Sequence, residues 1–205
     1  MSAEGRENGC DESSKWQKSA LLVIDMQNDF IVPGGPMWVK GGAAIVPAVQ
    51  RAITFAREKG TLIIWVKREH HASGRDVERF RRHHYAVGET GPTVKGTVGA
   101  ELVDGLEFQP EDQVIVKYRF SAFFGTNMHL VLHSAGIETV IVVGVQTPNC
   151  IRQTVFDAVA HDYPNVIVLS DATGAASPEV HEANLIDMRN VGVSTPTLAE
   201  WMGAT

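Results

Sequence analysis

Cysteine is nearly missing from this chain of 205 residues, which holds only Cys10 and Cys150. Two thiols so far apart exclude a disulfide framework and a four-thiolate metal site. Basic residues are also in deficit, 18 Lys plus Arg against 24 Asp plus Glu, for a formal net charge of −6. Such a field repels phosphate backbones and anionic lipid surfaces, so neither nucleic acid nor a membrane is an expected partner. No stretch reaches the roughly 18 apolar residues of a membrane span, and internal repeats and low-complexity tracts are lacking. Residues 1–18 mix charge with Ser and Gly and contain no apolar run, so they read as a flexible tail without a secretory signal. The expected compartment is a reducing, cytoplasmic one.

What remains, residues 19–205, has the length and hydrophobic content (44% for the whole chain) of one globular domain. Short apolar runs recur along it: Ala20-Leu-Leu-Val-Ile24, Leu62-Ile-Ile-Trp-Val66, Val114-Ile-Val116, Val140-Ile-Val-Val143, Val166-Ile-Val-Leu169 and the weaker Val191-Gly-Val193. Uninterrupted runs of this kind suit strands buried on both faces of a parallel sheet. Helical patterns at residues 43–59, 124–135, 148–161 and 178–190 separate them. Strand alternating with helix predicts an α/β fold: a three-layer α/β/α sandwich, Rossmann-like, on a mostly parallel six-stranded sheet. In such sheets the functional residues gather beyond the carboxyl ends of the strands.

Three chemistry-bearing residues fall on that edge. Asp25 closes the first strand, Lys117 closes the third, and Cys150 opens the helix after the fourth. A carboxylate directly after Leu-Leu-Val-Ile is costly to bury unpaired, and Lys117 is its natural partner. A purely structural ion pair remains the alternative. In Gly144-Val-Gln-Thr-Pro-Asn-Cys150, Thr147 fits an N-cap and Pro148 the first helical position, which puts Cys150 in the first turn. The helix dipole and a nearby ammonium favour a thiolate there. A small buried packing residue is the competing reading.

Three segments now carry a resemblance: Leu21-Leu-Val-Ile-Asp25-Met-Gln-Asn-Asp-Phe30, Lys117-Tyr-Arg-Phe-Ser-Ala-Phe-Phe124 and Gly144-Val-Gln-Thr-Pro-Asn-Cys150. In this order, across about residues 19–202, they resemble the isochorismatase-like cysteine hydrolases, the superfamily of nicotinamidases, N-carbamoylsarcosine amidohydrolases and ureidoacrylate hydrolases. The resemblance implies a catalytic triad of Asp25, Lys117 and Cys150, a cis peptide at Val145-Gln146, and an oxyanion hole from the backbone N–H groups of Gln146 and Cys150. It implies hydrolysis of a small amide or ureido C–N bond through a thioester, and a homo-oligomer. Isochorismatase itself cleaves a vinyl ether without a nucleophilic cysteine, so Cys150 argues against that reaction.

Departures from the subfamilies narrow the substrate. Nicotinamidases carry a metal site after the second strand, built on an Arg-Asp-aromatic-His run; this chain has Arg68-Glu69-His70-His71. Glu69, His71 and His84 are the candidate ligands for zinc. The expectation is nonetheless no cofactor, with a metal-assisted nicotinamidase and a catalytically inactive small-molecule-binding relative as alternatives. Lys117-Tyr-Arg-Phe-Ser-Ala-Phe-Phe resembles the pattern of metal-independent ureidoacrylate and carbamoyl-type members. Arg119 is the candidate for holding a substrate carboxylate through a bidentate fork, or else for pairing with Asp29. Gln27, Phe30, Trp65 and Phe123 are candidate substrate-binding residues; Phe30 and Trp65 equally suit a core. Residues 67–84 hold six Lys or Arg, four His and only three acids, so they read as a solvated basic loop near the mouth, and an anionic substrate fits.

Overall fold

The computed structural model describes residues 14–85 and 90–203. Five strands form one sheet, β1 (Ser19–Ile24), β2 (Leu62–Arg68), β3 (Gln113–Lys117), β4 (Thr139–Val145) and β5 (Asn165–Gly174). They lie in the order β3-β2-β1-β4-β5, with every neighbouring pair parallel. Order reverses between β1 and β4, and the two strands run in register from Ser19 opposite Thr139 to Ile24 opposite Gly144. At such a switch point the following connections leave toward opposite faces and open a crevice at the carboxyl ends.

The apolar runs are continuous because both faces are covered. Leu21, Val23, Trp65, Ile141 and Val143 face one layer, built chiefly on Ile45, Val49, Ala52, Ile53 and Ala56 of α2 (Gly42–Lys59). Leu22, Ile24, Ile64, Val140 and Val142 face the other, against α3 (Met128–Ser134), α4 (Arg152–Ala160) and α5 (Pro178–Asn190). Each such side chain contributes roughly 1.5–3 kcal/mol by leaving water. Helix α2 stops where Gly60 takes φ +76° and returns its N–H to the carbonyls of Ala56 and Arg57. Short helices α1 (Asn28–Ile31) and α6 (Leu198–Trp201) complete the fold.

The sheet has five strands where six are expected. Residues 191–193 turn off the end of α5, with Gly192 at φ +94°, and run on along the β5 edge as an extended connection. Val168 and Ser170 donate to the carbonyls of Ser194 and Pro196, and Ser194 makes one isolated bridge with Ile167. Pro196 has no N–H to extend a ladder. The fifth strand is longer than its apolar core suggests, so Asp171 lies inside β5, where its Oδ1 accepts the Leu198 N–H at 2.6 Å and anchors the start of α6.

The folded domain also begins before residue 19. Residues 14–17 form a helical turn, and Trp16 is buried edge-on between Phe55 and Trp201, with ring centroids 5.3 and 5.5 Å away. Cys10 lies outside the described residues. Among those residues no helix is long and apolar enough to cross a membrane.

Candidate active site

Three strand ends put a row of charge across the crevice. Lys117 at the end of β3 is level with Arg68 at the end of β2, and Asp25 follows the last residue of β1. Asp25 adopts φ +52° and donates its N–H to the Val66 carbonyl at 2.9 Å, which turns its carboxylate into the crevice. On the other side of the switch point, Gly144 at φ +112° leans against β1. A Cβ there would sit 2.1 Å from the Ile24 carbonyl oxygen, so only glycine permits this approach. The Val145–Gln146 peptide is cis. A single π-helical turn, Thr147–Ile151, then carries Cys150.

Gln146, rather than the expected Thr147, holds the N-cap position of that turn. Its carbonyl accepts the N–H groups of Asn149 and Ile151 at 3.1 and 3.2 Å, and the Cys150 N–H between them is not among its donors. The fully buried Thr147 hydroxyl instead meets His181 Nδ1 at 2.8 Å, while His181 Nε2 meets the Ser170 carbonyl at 3.0 Å. A carbonyl only accepts, so Nε2 carries a proton directed at Ser170. His181 thereby ties the turn to β5 and α5.

Lys117 joins the set. Its Nζ lies 2.8 Å from Asp25 Oδ2, and it donates to Cys150 Sγ at 3.3 Å and to the Arg119 carbonyl at 3.2 Å. Asp25 and Lys117 are both fully buried, and Cys150 is 5% exposed. Neither carboxylate oxygen of Asp25 has a well-aligned hydrogen bond among the described residues, which leaves acceptor capacity beside the thiol. The helix-terminus expectation of a stable thiolate is reversed: burial first, then the Asp25 charge, push the Cys150 thiol up to about 11 against the lowering effects of Lys117 and Arg68.

The sequence reading passes over Arg68, and the signal for it was the one used for Asp25 and Lys117: a charged residue ending a buried strand. Its guanidinium is buried, and Nη2 makes contacts of 2.7 and 2.6 Å to both oxygens of Glu78. Its Nε donates to His70 Nε2 at 2.9 Å. His70 is buried too, and burial with the Arg68 charge lowers it to about 4, so the ring is neutral at physiological pH. Its Nδ1 lies 3.4 Å from the Asp76 carboxylate. Residues 67–84 are thus not simply a solvated loop, since Lys67, Arg68 and His70 are buried in it.

The other expected binding residues divide. Phe30 borders the same side as Arg68, where the two meet Arg81 and Tyr85 around a void of only about 10 Å³. Gln27 is fully buried and clamps the Arg68 backbone, accepting its N–H at 2.7 Å and donating to its carbonyl and to that of Ala100, both at 2.8 Å. Trp65 faces the opposite layer, where its Nε1 donates to Asp112 at 2.7 Å, because it sits three positions before the strand end. Phe123 packs into the α3/α4 side against His161 and Tyr163. Arg119 is not paired with Asp29 among the described residues; its Nη1 donates to the Asp76 and Tyr118 carbonyls at 2.6 and 2.8 Å and ties the 67–84 segment to the end of β3.

The candidate zinc ligands do not assemble. Glu69 is paired with Lys67 at 3.1 Å, and His71 Nδ1 bonds to Ser73. His84 lies in a 3₁₀ segment (Arg79–Tyr85), its ring tilted against that of His83. No group of three potential ligands occurs among the described residues.

The chain belongs to the isochorismatase family, whose domain model matches residues 19–200. It is 62% identical over 190 residues to the Arabidopsis thaliana protein named "Probable inactive nicotinamidase", covering 92% of this chain and 97% of that one. It is 31% identical over 180 residues to maleamate amidohydrolase of Pseudomonas putida, covering 84% and 79%. Among solved structures it is similar to an isochorismatase family protein of Desulfovibrio vulgaris, at TM-score 0.87 and 44% identity over 90% of this chain and 96% of that one. It is also similar to a pyrazinamidase of Pyrococcus horikoshii in complex with zinc, at TM-score 0.74 and 33% identity over 88% and 99%.

Proposed function

We propose that the protein is a cysteine-dependent amidohydrolase acting on the C–N bond of a small amide or ureido compound. The observation that carries this reading is Lys117 Nζ held between Asp25 Oδ2 and Cys150 Sγ, at 2.8 and 3.3 Å, inside a water-excluded crevice. Asp25 accepts the thiol proton as Sγ attacks the carbonyl carbon, so a stable free thiolate is not needed beforehand. Lys117 keeps the carboxylate in place and balances the charge formed at sulfur. The backbone N–H groups of Gln146 and Cys150 receive the oxyanion of the tetrahedral adduct. Asp25 returns the proton to the leaving nitrogen, ammonia or an amine departs, and a thioester remains. Water that gives its proton to Asp25 then attacks the thioester and releases the acid and the thiol.

Nicotinamide is disfavoured as substrate, since Lys67 occupies the carboxylate of Glu69 and the described residues assemble no ligand set for the family's metal. A second reading, a silent relative that binds a small molecule, is favoured by the name of the Arabidopsis relative. Ammonia release from maleamate, N-carbamoyl amino acids, ureidoacrylate and nicotinamide, with and without added zinc, separates them. Release from one of the first three without zinc is expected. Release only from nicotinamide with zinc overturns the substrate assignment, and release from none supports the silent relative.

A further inference from the structure

The proposed chemistry leans on two backbone N–H groups, those of Gln146 and Cys150, and the triad side chains do not hold them. Lys117 and Asp25 reach Cys150 at its sulfur, so the ends of β1 and β3 fix the nucleophile and leave the donors to the turn that carries it. That turn, Thr147–Ile151 with Gln146 at its N-cap, is a single π turn, a rare geometry that the chain has to be held in. Its first residue is tied from outside: Thr147 is fully buried, and its hydroxyl meets His181 Nδ1 at 2.8 Å. His181 is half-buried in the first turn of α5, where its own N–H goes to the Ser177 carbonyl at 3.0 Å. Its Nε2 donates to the Ser170 carbonyl of β5 at 3.0 Å. Both ring nitrogens are therefore taken, and the imidazole has none left to exchange a proton with a substrate. What it can do is brace the turn against the sheet.

We propose that His181 is a positioning residue: through the Thr147 hydroxyl it sets where the Gln146 and Cys150 N–H groups point, and with them the stabilisation of the tetrahedral oxyanion. The proposal rests on Cys150 being the nucleophile. Thr147 lies one residue after Gln146 and three before Cys150, so a shift at its side chain is passed to both donors. Water cannot replace His181 as partner of a hydroxyl this buried, and the turn moves to relieve the unpaired group. Oxyanion donors act only when they lie within hydrogen-bond distance of the charge that develops, and a misplacement of about 1 Å is costly. Sγ stays on Lys117 and Asp25 throughout, so losing the brace impairs the oxyanion and spares the nucleophile.

Two reagents separate those effects. p-Nitrophenyl acetate acetylates Cys150 through a tetrahedral oxyanion: the Sγ–C bond forms, the C–O bond to p-nitrophenolate breaks, and the thiol proton passes to Asp25. Iodoacetamide reacts at a saturated carbon, where the Sγ–C bond forms as iodide leaves and no oxyanion arises. In His181→Leu and in the near-isosteric Thr147→Val, p-nitrophenolate release above a Cys150→Ala background is expected to slow about tenfold, a share of the roughly 10²–10³ lost when a donor is removed outright. Iodoacetamide modification of Cys150, followed by peptide mass spectrometry, is expected to stay within about twofold. Thr147→Ser keeps the hydroxyl and should recover most of the acetylation rate. Asp187→Asn releases a different tie of α5, to Arg152 at 2.5 Å, and should leave the ratio of the two rates unchanged. Equal slowing of both reagents, an unchanged ratio in Thr147→Val, or the same change of ratio in Asp187→Asn overturns the positioning role while leaving the nucleophile in place. If neither reagent modifies Cys150 in the folded wild type while both do so in urea, the nucleophile reading fails and the positioning role with it.

Discussion

Lys117 Nζ lies 2.8 Å from Asp25 Oδ2, and neither side chain is exposed to solvent. Each charge has been taken out of water for the other, so removing one strands its partner. Lys117→Met is expected to destabilise the fold by about 3–5 kcal/mol in urea titrations. The double variant Lys117→Met with Asp25→Asn should recover part of that loss. Additive losses in the two single variants and the pair would mean that the ions do not sense each other.

The protonated state of Cys150 gives a pH signature. Burial and the Asp25 charge push the thiol up to about 11, so the thiolate fraction of the resting protein climbs about tenfold per pH unit through the neutral and mildly alkaline range. Iodoacetamide modification of Cys150 should follow that slope, measured by peptide mass spectrometry. A rate already at its plateau near neutrality contradicts it.

His70 contributes a second pH effect of known sign. It titrates near 6.5 when unfolded and at about 4 in the fold, so below pH 6.5 the unfolded chain binds the extra proton first. The stabilisation is fully present above about 6.5 and is lost as pH falls through about 4, by about 3 kcal/mol. Urea titrations across this range should show wild type losing more stability on acidification than His70→Gln. Parallel losses would remove His70 from the account.

Trp65 separates strand interior from strand end. Its indole donates to Asp112 and meets Phe108 edge-on at a centroid distance of 5.1 Å, on the face away from Cys150. Trp65→Phe should cost about 1 kcal/mol of stability through the lost hydrogen bond and leave kcat/KM unchanged. A large fall in kcat/KM with unchanged Tm would return it to the pocket.

What the sequence could reveal follows the physics of strand burial. Five continuous apolar runs announce strands covered on both faces, and a charge directly after such a run announces a functional edge, which is how Asp25 and Lys117 are found. Arg68 escapes the rule because Lys67 is the charge that directly follows the second run, and composition cannot show that Glu78 folds back to pair with Arg68. The loss of the sixth strand depends on Pro196, outside the run itself, and Thr147 lost the N-cap position to Gln146 because the turn winds as a π-helix. Arg119 is tied to the 67–84 segment through Nη1 on the Asp76 carbonyl, a contact set by the tertiary path of that segment and invisible to spacing along the chain.

The central claim, that Cys150 is the nucleophile of a C–N hydrolase, is tested most directly by ammonia release in wild type and Cys150→Ala. The assay uses whichever of maleamate, N-carbamoyl amino acids or ureidoacrylate the wild type hydrolyses best. The account predicts a loss of at least roughly 10⁴-fold in kcat, with circular dichroism and Tm retained. Turnover that survives in a folded Cys150→Ala protein contradicts it.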